Sequence, residues 1–194
     1  MFHLRRMAAT AIDVGIARSN EWPAPALRSL SLKRGARSKE LRGFSHDESR
    51  SPLGFGRETF SAAKRAFAHW AMFDLGWVRV VNAIAPIADG QIVAVEVHAL
   101  GLWSVNLSQI RETADTETAF GFIYATTKEH IEEGEESFLI RLDPTTGEVS
   151  YKLEAISRPR HILARLGFPM ARYFQHRFAR DSHRRMRQAV NLDL

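Results

Sequence analysis

Apolar and polar positions alternate with a period of two through the middle of the chain, and with a helical period on either side of that stretch. The two-residue period begins at Trp77-Val-Arg-Val-Val81. It continues through Gln91–Ala99, Leu102–Glu112, Ala119–Thr127, Glu135–Asp143 and Glu148–Ile156. Leu100-Gly101 and Asp143-Pro-Thr-Thr-Gly147 are turn sequences, Asn82–Gly90 is a longer turn region, and Lys128–Gly134 is a polar loop. Connections this short make antiparallel pairing of consecutive strands the default. Phe44–Leu53 adds an extended segment before them, ended by Pro52 and the turn at Gly54-Phe-Gly56. Between that segment and the meander, Arg57–Trp70 has helical spacing, with Phe60, Ala63, Phe67 and Trp70/Ala71 on one face and Gly76 as its stop. His69 sits beside this stripe as a helix-surface histidine.

The last strand runs through Ser157-Arg158-Pro159 into a long helix, which Gly167-Phe-Pro169 divides into a short piece and a long one. At about 100° per residue from Pro169 onward, Ala171, Phe174, Phe178, Ser182, Met186 and Ala189 share one side. Arg172, Arg177, Arg180, Arg184 and Arg187 share the other, and Arg185 lies near the apolar edge. The predicted order is strand, helix, six-strand meander, long helix. An apolar helix stripe must be laid on something, and the strands before it are the available surface. A curved antiparallel sheet with the helix across its mouth satisfies this order, as do other α+β meanders.

The 194 residues, 45% of them hydrophobic, suit one domain plus an extension. With no cysteine, disulfides, thiolate catalysis and Cys-ligated metals are excluded. No run approaches the ~18 apolar residues of a membrane span. The net charge of +5 hides a segregation. Residues 1–43 carry nine Lys/Arg against three Asp/Glu, residues 44–156 nine against seventeen, and residues 157–194 nine against two. An acidic body with a basic helix is unlike a uniformly basic nucleic-acid binder. Residues 1–43, rich in Arg, Ala and Ser, read as a basic, disordered extension, and residues 44–190 as the domain. Arg5-Arg6 followed by Met7–Ala17 is a faint targeting signal that Asp13 interrupts, so the expected compartment is the cytoplasm.

Several motifs occur in order: Gly54-Phe-Gly-Arg-Glu-Thr-Phe60, Trp70-Ala-Met-Phe-Asp-Leu-Gly-Trp-Val78, Phe120-Gly-Phe-Ile-Tyr124, Gly134-Glu-Glu136 and Ser157-Arg-Pro-Arg-His161. With Ala164–Arg172 and Gln175–Asp181, they resemble the signatures of an uncharacterised family, DUF1990 (UPF0548-like), over about residues 44–190. That family is distantly similar to the START/polyketide-cyclase (SRPBCC, Bet v 1-like) helix-grip superfamily, whose members mostly hold an apolar small molecule or lipid between sheet and helix. The resemblance implies an α+β helix-grip fold, a curved antiparallel sheet of about seven strands wrapped on a long C-terminal helix. It implies a ligand class and supplies no catalytic residues.

Pockets are mostly apolar with a few placed polar groups. Alternation groups Val93, Val95 and Val97 on a core face and puts Glu96 and His98 outside. It groups Trp103, Val105 and Leu107 against Ser104, Asn106 and Ser108 without saying which set points in. Phe120, Phe122 and Tyr124 align on the next strand, and Val149, Tyr151 and Leu153 on the last. The expected pocket lining is Trp77, Arg79, Trp103, Tyr124 and Tyr151, with Phe174 and Phe178 from the helix and Arg158 and His161 at the edge. Arg79 could pair with an anionic ligand group. The eight histidines lie on separate segments and form no metal-binding spacing. No Gly-x-Ser-x-Gly, P-loop or dinucleotide fingerprint occurs, so no cofactor is expected.

The leading functional expectation is a module binding a hydrophobic or amphipathic small molecule or lipid. The alternative is an enzyme of the cyclase, dehydratase or hydrolase kind on the same scaffold, using acid–base chemistry in the cavity. A third is an electrostatic partner for an anionic membrane or RNA through the basic helix and tail. No aromatic residues interleave with the arginine face, so specific nucleic-acid readout is not expected.

Overall fold

Strands form where the two-residue period runs and helices where the 3.6-residue period runs. The computed structural model describes residues 2–4, 6–7, 12–13, 16–17, 44–84, 86–127, 132–159 and 168–192. Strand β1 is Phe2–His3 and β2 is Ser45–Phe55; helix α1 is Gly56–Ala68, followed by a 3₁₀ turn at Ala71–Phe73. The meander is β3 (Val78–Val80), β4 (Ile92–Ala99), β5 (Leu102–Asp115), β6 (Ala119–Thr126), β7 (Glu132–Leu142) and β8 (Glu148–Pro159). Helix α2 spans Phe168–Leu192. Each meander strand pairs antiparallel with the next, and β2 pairs with β8, so the order across the sheet is β2-β8-β7-β6-β5-β4-β3. The sheet curls, and α1 and α2 pack together in its concave side.

Several boundaries differ from the sequence reading. Glu132, Glu133 and Gly134 belong to β7 rather than to the polar loop, and β8 continues to Pro159. The expected helix break at Gly167 and the loop residues 128–131 lie outside the described residues. Helix α1 ends well before Gly76, because Trp70 takes a left-handed backbone (φ 58°) and donates its N–H to Phe67 at 2.9 Å. That conformation costs a non-glycine residue about 1–2 kcal/mol. Burial of the indole against Phe73 and Phe122, with ring centroids 6.0 and 5.3 Å away, offsets it.

Most of residues 1–43, expected to be a disordered extension, lies outside the described residues. Several of those that are described pack on the sheet. Phe2 and His3 pair with Ser104 and Trp103, using the part of the β5 edge that β6 leaves free, since β6 pairs with β5 only from Ser108 onward. Farther on, Ile12 is buried on the convex face with Ile92, Ala94 and Leu107. Arg6 donates to Glu96, which Arg79 also holds at 2.7 Å, so this carboxylate is 2% exposed yet paired twice.

Candidate functional site

Directly opposite residues in antiparallel strands share a face, so the pairing register shows which side chains point into the curl. Val93 and Val95 are core residues. Their partners Ser108 and Asn106, and the pair Val97–Ser104, therefore face the concave side. This is the reverse of the expected lining on β5: the polar set points in and Trp103 points out. The concave face divides in two along the strands. At one end Phe122, Phe138, Tyr151, Leu153 and Ile140 fill the space with Phe67, Phe73 and Met186. At the other end the inward row is Ser104, Asn106 and Ser108, joined across the sheet by Thr126 opposite Ser108 and by Tyr124 and Glu136 opposite one another.

Polar groups in this second half are partly engaged. The Tyr124 hydroxyl donates to Glu136 Oε2 at 2.8 Å, and the Thr126 hydroxyl oxygen accepts from the Gly134 N–H. Asn106 Oδ1 is buried and has no hydrogen-bond partner among the described residues. Such an acceptor is costly to leave unpaired.

The row runs out to an open cleft of about 580 Å³, bounded by His98, Ala99 and Leu100 at the β4–β5 tip and by Met170, Tyr173, Phe174 and Arg177 of α2. Ala99 pairs with Leu102 as the last pair of the same inward row. Trp77 backs this cleft. Its ring lies 5.9 Å from Phe174, Arg177 stacks over it at 4.3 Å, and its indole N–H donates to Asp181 at 3.1 Å. Asp181 is buried, which opposes ionisation. The Trp77 donor and the Arg180 and Arg184 guanidinium groups outweigh that and hold its carboxyl below the usual range.

The other expected site residues fall in three places. Tyr151 is fully buried, its hydroxyl 2.9 Å from Ser182 Oγ; burial pushes its phenol up, and it belongs to the filled half. Phe178 does too, packed on Phe73 and Phe138. Arg79 and Trp103 lie on the convex face, one bound to Glu96 and the other stacked on the His98 ring at 4.2 Å. Arg79 and Trp77, both expected in the lining, do not share a face: Arg79 opposes Glu96 on the convex side, while β3 begins at Val78 and leaves Trp77 outside the pleat. Arg158 is held by Glu133 at 2.9 Å and lies over the Phe44 ring. His161 lies outside the described residues. The structure thus brings Trp77 and Phe174 together at the cleft, places Tyr124 in the inward row opposite Glu136, and separates the rest.

Helix α2 is fastened along the inward side of β2. Asp47 binds Arg172, Ser49 Oγ lies 2.8 Å from His183 Nε2, and Arg187 donates to Ser51 at 2.5 Å. Arg172 hydrogen-bonds Asp47, which lowers that carboxyl despite its partial burial. Burial, and then the Arg187 charge, push the His183 imidazole down to about 4. On the convex face, His46, Glu48 and Glu154 place one ligand atom each within 4.8 Å of one another. The Lys152 ammonium already stands 3.1 Å from Glu48 and 3.2 Å from Glu154, so their charge is partly compensated within the protein.

Comparison with known proteins matches residues 31–185 to the family model described as Domain of unknown function (DUF1990). The chain is 35% identical over 158 residues to a UPF0548 protein of Dictyostelium discoideum, covering 76% of this chain and 73% of the relative. A UPF0548 protein of Arabidopsis thaliana is 29% identical over 178 residues, covering 89% and 86%. Among solved structures, the Zhui aromatase/cyclase from Streptomyces sp. R1128 superposes with a TM-score of 0.51 at 14% identity, over 76% of this chain and 94% of that one. The shared feature is the fold, a curled antiparallel sheet gripping a C-terminal helix.

Proposed function

Because the chain belongs to the DUF1990 family, whose function is unknown, the reading must come from its own residues, and we propose that it binds an amphipathic small molecule on the polar half of the concave face. The observation that supports this most directly is Asn106, whose buried Oδ1 has no hydrogen-bond partner among the described residues, in an inward row that ends at an open cleft. A ligand donor, a hydroxyl or an amide N–H, would satisfy it. Val78, Val80, Val95 and Val97 supply an apolar wall beside this row, so one molecule can meet both kinds of surface.

Native mass spectrometry of protein from its own cells, followed by organic extraction, tests the reading. A defined amphipathic molecule should be released from the wild type, and Asn106→Leu should reduce its occupancy about tenfold, the consequence of losing one buried hydrogen bond. A protein that carries nothing, and whose melting temperature no amphipathic compound shifts, overturns it.

One observation favours a catalytic variant of this reading. The Tyr124–Glu136 pair is an inward phenol donating to a carboxylate, an arrangement that can move a proton to or from a bound molecule. The Zhui protein is itself an aromatase/cyclase, so the fold accommodates an enzyme. Under this reading Glu136→Gln and Tyr124→Phe abolish conversion of the extracted molecule and leave its binding in place.

A further inference from the structure

The cleft is rimmed by large apolar side chains that nothing in the described residues covers. Leu100 at the β4–β5 tip is 72% exposed, and Met170 and Tyr173 on the first turns of α2 are 47% and 57% exposed. All three border the same opening. Leu100 also occupies a strained position. It has φ 55°, and with Gly101 at φ 74° it forms the two-residue turn closing the Ala99–Leu102 pair. Such turns favour Asn, Asp or Gly, which adopt positive φ at little cost. Among the described residues nothing covers a leucine there to offset its strain and exposure.

The same helix stripe changes character one turn farther on. Met170, Tyr173, Phe174 and Arg177 follow one another at spacings of three and four, and Arg180, Asp181 and Arg184 continue the stripe. Arg180 and Arg184 side chains are 70% and 62% exposed, and Asp181 is the single carboxylate among three arginines. The stripe is thus apolar at the cleft and net positive beyond it. No helix among the described residues is long and apolar enough to cross a membrane.

We propose that the cleft rim is a peripheral membrane-docking surface: Leu100, Met170 and Tyr173 enter the headgroup layer of an anionic bilayer while Arg180 and Arg184 meet lipid phosphates. Charge complementarity selects this occupant over a neutral apolar partner, because the rim continues into exposed guanidinium groups. The basic extension is not required. The docking deepens the proposed binding function by opening the cleft toward the phase in which amphipathic molecules reside, and in that respect it rests on that reading.

Co-sedimentation of the full chain with phosphatidylcholine vesicles, with and without phosphatidylserine, is the test. Binding is expected to vesicles containing phosphatidylserine and not to phosphatidylcholine alone, and to weaken strongly between roughly 50 mM and 500 mM salt. Leu100→Asp and Tyr173→Asp should each lower it about tenfold, and Arg180→Ala or Arg184→Ala about fivefold. Leu100 and Tyr173 are exposed, so unchanged melting temperatures are expected for the aspartate variants and confirm that they are folded. Each alanine variant removes one partner of Asp181 and should show a small decrease without unfolding. Absence of binding to anionic vesicles overturns the inference, as does binding that survives both aspartate variants. A protein that shows no vesicle binding yet still loses its extracted ligand in the Asn106→Leu variant overturns the docking surface alone. If no ligand is ever found but vesicles are bound, the cleft reading falls and the surface stands.

Discussion

His183 links a single ring to the pH range in which the fold should hold. Its folded pKa is about 4 against an ordinary 6.5, so the unfolded chain takes up the proton first as pH falls. The contribution of the neutral ring is complete above about 6.5 and is lost progressively toward pH 4, a change of at most about 3 kcal/mol. Urea midpoints measured from pH 7 to pH 4 should decline in the wild type and decline less in His183→Asn, and equal slopes would show that the ring is not the titrating group. Asp47 and Asp181 act lower. Both carboxyls are depressed, so their stabilisation is present above the ordinary carboxylate pKa and disappears only as the pH falls through their folded values. At the same scale, Gly121 and Gly134 explain themselves by space. A Cβ at Gly121 would stand 2.1 Å from the Phe138 carbonyl oxygen, and one at Gly134 2.2 Å from that of Ile156. Gly121→Ala should therefore destabilise the protein by about 1–3 kcal/mol, visible as a lower urea midpoint with unchanged slope.

Among the elements, the strands and both helices were legible because their periods are long and uninterrupted. The faces of β4, β6 and β8 were legible because apolar residues mark their inward side. β5 was not, and the reason is physical. Its outward residues Val105 and Leu107 are apolar because Ile12, Ile16 and Met7 pack on that side, while its inward residues are polar where the curl is not filled with hydrocarbon. A rule that places apolar residues inside fails on a strand whose outer face is also covered. Asn106 was overlooked for the same reason. Trp103 and Arg79 were misplaced because their partners His98 and Glu96 lie on the convex face, one of them reached by an arm far away in sequence. That arm is testable as an element. Deleting residues 1–16 uncovers Ile92, Ala94 and Leu107 and leaves Glu96 with Arg79 alone, which should cost about 1–3 kcal/mol. The melting temperature should fall by several degrees, whereas a dispensable tail would leave it unchanged.

For the molecule as a whole, the segregated charge becomes a set of fastenings between helix and body. Arg172 meets Asp47 and Arg185 meets Asp74 at 2.9 Å, while the three arginines that converge on Asp181 pair within the helix itself. Most of these are only partly buried, so salt should weaken their sum by no more than about 1 kcal/mol, and a urea midpoint that rises with sodium chloride would contradict the assignment. The pairing of β2 with β8 has a consequence in time. On a ribosome, β2 emerges long before β8, its one strand partner among the described residues: His46 and Glu154, joined in the finished protein, are 108 positions apart. At about 5–20 residues per second, β2 waits roughly five to twenty seconds with both edges bare. His46, Asp47, Glu48 and Arg50, with Pro52 at its far end, are what an unpaired strand needs to stay out of foreign sheets during that interval. The residues that later fasten the helix and dress the outer surface thus serve first as the nascent chain's protection against aggregation.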